Sequence, residues 1–486
     1  MKNNTSQKPI RSQGKKKLKK LGHPGTIQLR SEFKPLLDEN GNPLPKSERK
    51  PKRKCAVMFG YCGTGYNGLQ TQNNDNVKTI EKELYTAMTK AGAISIENSI
   101  DQKKSSFQRA ARTDKGVHAA GNVISLKMII EDPNIKDKIN ENLPEQIRIW
   151  GIQRTTKGFD CRKMCSSRIY EYLLPTYALL PPKKGTSLSN LIDEKKQLYP
   201  NLFANDNGEG ENWWKETEEK TKDVTEDKKI KSIENQARKS YRISKEKLND
   251  LRNVIKKYEG TNNFHNFTVG KDYNDNSSKR FIMSVNVSDP FLIEGTNSQT
   301  EWVSIKIHGQ SFMLHQIRKM IAMATLLIRC NLPHDLILDF FGPTKINIPK
   351  APALGLLLEN PVYESFNQKL KTGKEGYDMI EFEKFSREMD EFKMKYIYDK
   401  IYDEENKENV FNAYYNYIDS FDVVPDEEGA PGYSKNRVTI FDFMTNYIDK
   451  HGKEVEEIKE DNAEAKEEIK EDNAEVKEDV KEESKD

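Results

Sequence analysis

Residues 109–128, which read RAARTDKGVHAAGNVISLKM, constrain the fold more than any other stretch of the chain. At their centre, Arg112–Gly116 is a polar sequence typical of a turn, with glycine where a positive φ is easily reached. In Asn122–Met128 the side chains alternate with a period of two, which predicts a strand with one buried face. Asp114 is therefore expected on a loop that leads directly into a rigid strand.

Asp114 is the residue in this stretch that could carry chemistry. Arg112 precedes it by two residues and Lys115 follows it directly. Cations held this close keep a carboxylate ionised at neutral pH and fix its orientation, as a nucleophile or an acid–base group requires. Asp-Lys-Gly is also an ordinary turn sequence, so the spacing by itself leaves a purely structural role open.

Charge is distributed very unevenly along the 486 residues. Residues 1–54 hold sixteen Lys and Arg against four acidic residues, whereas residues 452–486 hold seven Lys against sixteen acidic residues. Since the net charge is +3, the sequence between them is neutral. A nucleic-acid enzyme with a neutral body has to gather its cations into a local groove. Both termini are predicted to be disordered tails, a basic one and an acidic one.

The five cysteines form no pattern typical of a disulfide framework. Cys161 and Cys165 are spaced i, i+4 but have no further ligands nearby, so we interpret them as packing residues and predict no metal site. No window reaches eighteen apolar residues, and the basic start of the chain leads into no apolar run. We therefore expect no membrane partner and a reducing compartment.

The eight residues Arg112–Ala119, RTDKGVHA, resemble at every position the loop that carries the catalytic aspartate in the TruA family of tRNA pseudouridine synthases. The similarity covers about residues 55–363, apart from a charged insertion, and departs from the family at Cys62, where Asp is usual. Other motifs similar to those of the family follow in the expected order: a glycine-rich loop at 60–70, Arg-x-Tyr-x-Tyr at 168–172, His-Asn-Phe at 265–267, Phe312 with Arg318, and Gly-Leu-x-Leu at 355–358.

This resemblance implies a set of catalytic residues. Asp114 would act as nucleophile or base at the nucleoside, with Arg112 beside it in the same loop. Tyr170 would reach the target base, because a phenol stacks on a flipped base and its hydroxyl can pass a proton. Arg318 would pair with Asp114 across the two halves and keep the carboxylate deprotonated. The substrate-binding residues implied in the same way are Lys115, His118, Leu356 and Leu358, the two leucines backing the uracil.

The implied reaction is the isomerisation of uridine to pseudouridine in tRNA, with small nuclear and messenger RNA as further candidate substrates. The base leaves C1′, rotates and rejoins through carbon, so no cofactor is implied. The target uridine must leave its stack at a cost of a few kcal/mol, which basic and aromatic groups have to offset by holding the flanking nucleotides. Similarity to the nuclear branch of the family implies a nuclear protein, and we expect a monomer.

The resemblance also implies the fold, which is α+β. Two similar ferredoxin-like halves would form one continuous antiparallel sheet around a central catalytic cleft, with helices on one face. The predicted domains are a basic tail (1–53), an N-terminal catalytic half (54–165), a C-terminal half (166–365) with a charged surface insertion (181–240), a helical extension (366–451) and an acidic tail (452–486).

Three helices are predicted from apolar periodicity. They cover Thr79–Ala91, Tyr241–Glu259 and Ser311–Arg329. In the third helix, Leu314 is predicted to belong to the buried stripe, while Ser311, His315 and Arg318 would share a polar face near the helix start.

Two alternatives belong to other classes of protein. A non-catalytic RNA-binding or RNA-folding protein would be expected to have lost Asp114, Arg318 or Tyr170, and none is lost. A scaffold assembled through the acidic tail and the insertion would not need residues 109–128 to match the family so closely.

Overall fold

The computed structural model describes residues 50–72, 76–99, 101–203, 208–293, 299–373, 376–420 and 438–458. The predicted basic tail lies outside the described residues up to residue 49. Of the predicted acidic tail, residues 452–458 continue a helix, and the rest lies outside the described residues. No helix in these described ranges is long and apolar enough to cross a membrane.

The strands follow the chain in this order: β1 (Arg53–Tyr61), β2 (Gln108–Arg109), β3 (His118–Met128), β4 (Ile147–Arg154), β5 (Ser167–Pro175), β6 (Gly260–Asn263), β7 (Lys279–Val287), β8 (Phe291–Leu292), β9 (Glu301–Gly309), β10 (Ile346–Asn347), β11 (Leu356–Val362) and β12 (Val438–Thr439).

The helices are α1 (Ile80–Lys90), α2 (Ile96–Ser99), α3 (Ile135–Glu141), α4 (Ser187–Leu198), α5 (Glu209–Thr221), α6 (Asp227–Ser240), α7 (Lys245–Lys256), α8 (Gln316–Arg329), α9 (Leu336–Asp339), α10 (Glu364–Lys371), α11 (Ser386–Phe392), α12 (Asp399–Glu408), α13 (Val410–Asp419) and α14 (440–458). A π-helical turn, Lys393–Tyr398, joins α11 to α12. Short 3₁₀ turns occupy Gln102–Ser105, Thr176–Leu179, His265–Phe267, Asn276–Ser278 and Glu383–Phe385.

One sheet runs through both halves, in the order β4-β1-β3-β11-β5-β9-β7-β6, with β2 beside β3 and β8 beside β9. The N-terminal half follows the chain order β1-α1-β2-β3-α3-β4, and its four strands lie side by side in the order 4-1-3-2. The C-terminal half follows the chain order β5-α7-β7-β9-α8-β11, and its strands, counted first to fourth along the chain, lie in the same order. Both halves are therefore ferredoxin-like, and the predicted α+β fold with a continuous, mostly antiparallel sheet is confirmed.

The two halves meet where β11 lies between β5 and β3. β11 is antiparallel to β5, but it is parallel to β3, with Leu357 opposite His118 and Leu358 opposite Ala119. Further along β3, the same edge is occupied by β2. The junction is thus a short parallel contact at the start of β3, directly after the loop that carries Asp114.

The sheet of the N-terminal half is covered on both faces. Val57 and Phe59 of β1 belong to a core cluster with α1, whereas Ala56 and Met58 belong to a second cluster with the C-terminal extension. In that second cluster the extension's Phe392 lies edge-to-face against Trp150, with ring centroids 5.3 Å apart. The prediction of helices on one face only is therefore wrong. β3, predicted to be half-buried, is buried along its length except at Lys127.

The predicted surface insertion folds into α4, α5 and α6. Trp214 of α5 is buried, and its indole Nε1 donates a hydrogen bond to the Pro181 carbonyl over 3.1 Å. Lys195 of α4 pairs with Asp449 of α14 over 2.6 Å, so the insertion also contacts the end of the extension. The charged composition of the insertion did not indicate these helices, because only a few buried side chains are needed to pack them against the rest of the protein.

The third predicted helix begins five residues later than expected. α8 starts at Gln316, and its preceding residue, His315, has a left-handed backbone with φ 62°. Ser311 and His315 therefore precede the helix instead of sharing a face with Arg318. Leu314, predicted to be core, is 52% exposed. The other two predicted helices are present as α1 and α7, with their apolar stripes buried.

His118 opens β3 and is fully buried. Its Nδ1 accepts a hydrogen bond from the backbone N–H of Gly63 over 3.1 Å, while its Nε2 has no hydrogen-bond partner within the described part of the chain. Burial lowers the pKa of His118 to about 4, and the Lys400 ammonium acts in the same direction. The neutral imidazole is therefore strongly preferred in the folded chain.

Replacing His118 by Asn should flatten the dependence of stability on pH. Because the folded pKa is depressed, the unfolded chain binds this proton first, and the free energy of unfolding falls as pH drops below about 6.5. For wild type this single group should remove about 2 kcal/mol between about pH 6.5 and pH 4.5. His118→Asn keeps an acceptor for Gly63 but does not titrate. Urea unfolding across this pH range measures the difference between the two proteins.

The matched control is His334→Asn, since His334 is partly exposed and lies 3.6 Å from Asp250. This variant should keep the fall in stability that His118 causes between about pH 6.5 and pH 4.5, because it leaves the buried His118 imidazole in place. If the free energy of unfolding depended equally on pH in wild type and His118→Asn, the depressed pKa of His118 would be contradicted.

Candidate active site

Asp114 lies in the loop that joins β2 to β3. The loop closes as a turn, because the Val117 N–H donates a hydrogen bond to the Asp114 carbonyl over 3.1 Å. Gly116 has φ +77°, in agreement with the sequence analysis. The Asp114 side chain is 48% exposed, so the carboxylate is held on a fixed backbone and remains open to a ligand.

The glycine-rich loop after β1 braces the Asp114 loop. The Leu69 N–H donates to the Thr113 carbonyl over 3.2 Å, and the Gly116 N–H donates to the Tyr66 carbonyl over 3.3 Å. A Cβ at Gly63 would lie 2.2 Å from the Val117 carbonyl oxygen, a distance that only glycine avoids. This loop therefore supports the catalytic loop from behind.

Tyr61 fixes the residue before Asp114. Its hydroxyl lies 2.8 Å from the Thr113 hydroxyl, and Tyr61 is fully buried. Burial raises the pKa of Tyr61 above its usual range, so the phenol stays protonated. Sequence reasoning missed this contact, since Tyr61 appears there only as part of the glycine-rich loop at 60–70.

Tyr170 comes close to Asp114 through the register of three strands. Leu358 of β11 is opposite Ala119 of β3 on one side and Tyr170 of β5 on the other. With strands about 4.8 Å apart, the Tyr170 backbone lies roughly 10 Å from β3. Burial raises the pKa of Tyr170 to about 12; Arg168 opposes this effect, and the Asp114 carboxylate adds to it.

The Tyr170 ring is half-buried and lies edge-to-face against Phe312, with centroids 5.2 Å apart. In the part of the chain that the structure describes, its hydroxyl makes no hydrogen bond. A protonated phenol near the Asp114 carboxylate is thus available to a ligand.

Arg318 and His315 lie on the C-terminal side of the cleft. The Arg318 Nε donates to the Ala351 carbonyl over 2.6 Å. His315 Nδ1 lies 3.5 Å from Asp114 Oδ2. Between the described Arg318 and Asp114 no ion pair within 4.0 Å is formed, so their pairing stays a prediction. Asp114 and Arg318 both influence the pKa of His315, which indicates that both side chains lie near its imidazole.

The 3.5 Å contact is an ion-pair distance without hydrogen-bond alignment, because His315 Nδ1 is buried and has no hydrogen-bond partner among the described residues. The imidazole and the carboxylate therefore approach each other closely without forming a hydrogen bond. Sequence reasoning placed His315 only on a polar stripe, and its position next to Arg318 in the motif was the one available signal.

The predicted substrate-binding residues fall into two groups. Lys115 and the predicted catalytic Arg112 are exposed, and neither is paired with another described residue. Leu356 is half-buried at the start of β11. Leu358 and His118 are fully buried, so the prediction that they contact substrate is corrected. Both lie inside the β3–β11 junction and support the site from within.

The His-Asn-Phe motif has a structural role. The buried Asn266 amide donates to the carbonyls of Phe340 and Thr344 over 3.0 and 2.9 Å and accepts from the Ile346 N–H over 2.9 Å. Lys319 of α8 donates to the Asn266 carbonyl over 3.1 Å. The motif therefore fixes the loop against the helix that carries Arg318. In the described ranges no group of three or more His, Cys, Asp or Glu side chains could hold a metal ion.

Comparison with known proteins gives consistent matches. A family described as tRNA pseudouridine synthase matches residues 254–364. The tRNA pseudouridine synthase 1 of Candida albicans is 58% identical over 478 residues, 90% of this chain and 76% of that protein. The tRNA pseudouridine synthase 1 of Saccharomyces cerevisiae is 50% identical over 458 residues, 88% and 83% of the two chains. The tRNA pseudouridine(27/28) synthase of the same yeast is 40% identical over 328 residues, 65% and 85%. At such identity over most of their length, the chain belongs to the TruA family of tRNA pseudouridine synthases.

Proposed function

We propose that this chain isomerises uridines in tRNA to pseudouridine, with the Asp114 carboxylate as the reactive group at the target nucleoside. The observation that carries the proposal is the Asp114 loop, which is braced by hydrogen bonds from the glycine-rich loop while its carboxylate stays 48% exposed. A fixed, accessible carboxylate between two halves of a sheet suits attack on a nucleotide that has left its stack.

The reaction exchanges one bond of the base for another. The N1–C1′ bond breaks, a C5–C1′ bond forms, the proton at C5 is lost, and N1 gains a proton. These steps are redox-neutral and need proton transfer close to the base. The protonated Tyr170 phenol, whose pKa is raised to about 12 by burial in the first place, is suited to stack on the base and to relay a proton.

The cations around Asp114 suit an RNA backbone. Arg112 and Lys115 flank the carboxylate and are exposed without partners in the described part of the chain. Lys78 Nζ lies 4.7 Å from the ring centroid of Tyr66, which belongs to the glycine-rich loop that braces the Asp114 loop. Phosphates of a structured RNA would position the target uridine through such contacts, and they carry no base specificity.

The proposal also covers the range of RNA substrates, the oligomeric state and the location of the protein. Small nuclear and messenger RNA are further candidate substrates, because contacts to phosphates do not distinguish them from tRNA. A monomer suffices, since the Asp114 loop, Tyr170 and α8 all belong to one chain. The excess of Lys and Arg in residues 1–54 supports import into the nucleus.

Asp114→Ala and Asp114→Asn should abolish pseudouridine formation, because both remove the reactive carboxylate, and Asn keeps its size. We expect turnover to fall by more than about a thousandfold, while the Kd for tRNA changes by no more than about threefold. Single-turnover conversion, mapped by carbodiimide labelling, and filter binding measure the two quantities. The matched control is Asp137→Asn, an exposed carboxylate on α3 that should retain full turnover. Measurable conversion by either Asp114 variant would overturn the proposal.

Tyr170→Phe separates stacking from proton transfer. It keeps the ring against Phe312 and removes only the hydroxyl. We expect the single-turnover rate to fall by roughly a hundredfold with an unchanged Kd, whereas Tyr170→Ala should also weaken binding by about tenfold. Tyr417→Phe, at a 63% exposed tyrosine on α13, is the control. A wild-type rate for Tyr170→Phe would exclude a role for the hydroxyl.

Removing residues 1–48 should abolish nuclear accumulation and leave turnover unchanged. The deletion removes most of the basic segment but keeps the cations that adjoin β1. Fluorescence of tagged full-length and shortened chains in cells measures location, and turnover at saturating tRNA measures activity. Deletion of residues 459–486, which leaves the basic segment in place, is the control. Persistent nuclear accumulation of the 1–48 deletion would contradict this prediction.

A further inference from the structure

His315 adopts a backbone conformation that is unfavourable for its side chain. Its φ of 62° and ψ of 4° lie in the left-handed region, where residues other than glycine are uncommon. The other described residues with positive φ that are not glycine are Ser106, Asn331 and Asn409, all smaller and polar. Strain of this kind persists only where the surrounding structure holds the residue, and it clusters at functional sites.

The His315 imidazole is directed at the candidate catalytic group. Its side chain is only 19% exposed, and Nδ1 lies 3.5 Å from Asp114 Oδ2 without another hydrogen-bond partner in the described part of the chain. A small movement of either side chain would complete a hydrogen bond from Nδ1–H to the carboxylate. Buried polar atoms are normally hydrogen-bonded, and the Asp114 carboxylate is the acceptor within reach of His315 Nδ1.

His315 connects the two halves through rigid elements. Its carbonyl accepts a hydrogen bond from the Lys319 N–H over 3.1 Å, which opens α8. Lys319 in turn donates to the carbonyl of Thr268 over 2.9 Å, so the start of the helix is fixed. Asp114, in contrast, belongs to the loop before β3 of the N-terminal half.

The charges around His315 favour the neutral imidazole. Burial lowers its pKa, and the cations of Lys350, Arg318 and Lys319 act in the same direction, while the Asp114 carboxylate opposes them. A neutral imidazole can donate one hydrogen bond to a carboxylate without neutralising its charge. Protonation at lower pH would instead place a cation beside the reactive oxygen.

We propose that His315 is a positioning residue for the isomerisation, holding the Asp114 carboxylate in its reactive orientation by a hydrogen bond from a neutral imidazole across the two halves. This inference rests on the proposed function of Asp114. The left-handed backbone is the conformation that lets a residue at the start of α8 reach back to the Asp114 loop.

His315→Gly tests the proposal without adding strain, because glycine adopts the left-handed backbone freely. We expect kcat to fall by roughly ten- to a hundredfold with KM for tRNA within about threefold, and a melting temperature no lower than that of wild type. His315→Asn should recover part of kcat, since Asn tolerates this backbone and carries a donor. Added imidazole should partly rescue His315→Gly.

The pH profile is a further readout. Because burial lowers the pKa of His315, the wild-type rate should fall only at pH values below the ordinary titration range of an imidazole, where the ring gains a proton beside Asp114. His315→Asn should lack this fall. Asn331→Gly, which removes a left-handed non-glycine residue away from Asp114, is the matched control and should keep the wild-type kcat.

Wild-type kcat in His315→Gly would overturn the inference, and so would a loss that neither Asn nor imidazole relieves. Asp114→Ala is measured in parallel to separate the two proposals. An inactive Asp114→Ala together with a fully active His315→Gly would overturn only the role of His315. An active Asp114→Ala would overturn the proposed function and this inference with it.

Discussion

The site depends on a short parallel pairing of β11 with β3, in which Leu357 and Leu358 lie opposite His118 and Ala119. It joins two halves whose other strand pairs in the main sheet, among the described residues, are antiparallel. Because Leu358 also lies opposite Tyr170, the same register sets the distance between the Asp114 loop and the phenol. A slip of one residue would turn Leu358 to the other face of the sheet, so the buried face of β11 specifies the geometry of the site.

Charges buried on the second face secure this junction. Lys393 of the π-helical turn lies 3.0 Å from Glu359, the residue after Leu358, and 3.6 Å from Glu171 of β5. Burial works against its charge, but Glu171 and Glu359 outweigh burial and hold the pKa of Lys393 above its usual range. The Tyr398 hydroxyl donates to Glu171 over 2.6 Å. Removing one partner of such a buried group typically costs about 3–5 kcal/mol, so the extension holds β5 and β11 together.

The sequence pattern predicted those elements whose conformation depends on neighbouring residues in the chain. Alternation and apolar stripes gave the main strands and α1, and the turn sequence gave the positive φ of Gly116. The resemblance gave the ferredoxin-like halves. The covering of Ala56 and Met58 could not be predicted, because their partners lie more than three hundred residues away in the extension. The burial of His118 and Leu358 was missed for a related reason: a motif shows which residues belong to a site, but not which of them face its interior.

The arrangement of Arg318 explains how one motif can serve two contacts. Its Nε is bound to the Ala351 carbonyl, and the Ala351 N–H donates back to the Arg318 carbonyl over 3.2 Å. The Nε bond orients the guanidinium, whose terminal nitrogens have no partners in the part of the chain that the structure describes. A planar pair of donors suits a carboxylate or a phosphate. His315 already lies 3.5 Å from the Asp114 carboxylate, so the terminal nitrogens of Arg318 remain available either to the predicted pairing with Asp114 or to an anion that enters the cleft. The geometry around the start of α8 thus brings an imidazole and a guanidinium with unpaired donors to the side of the cleft that faces the Asp114 loop.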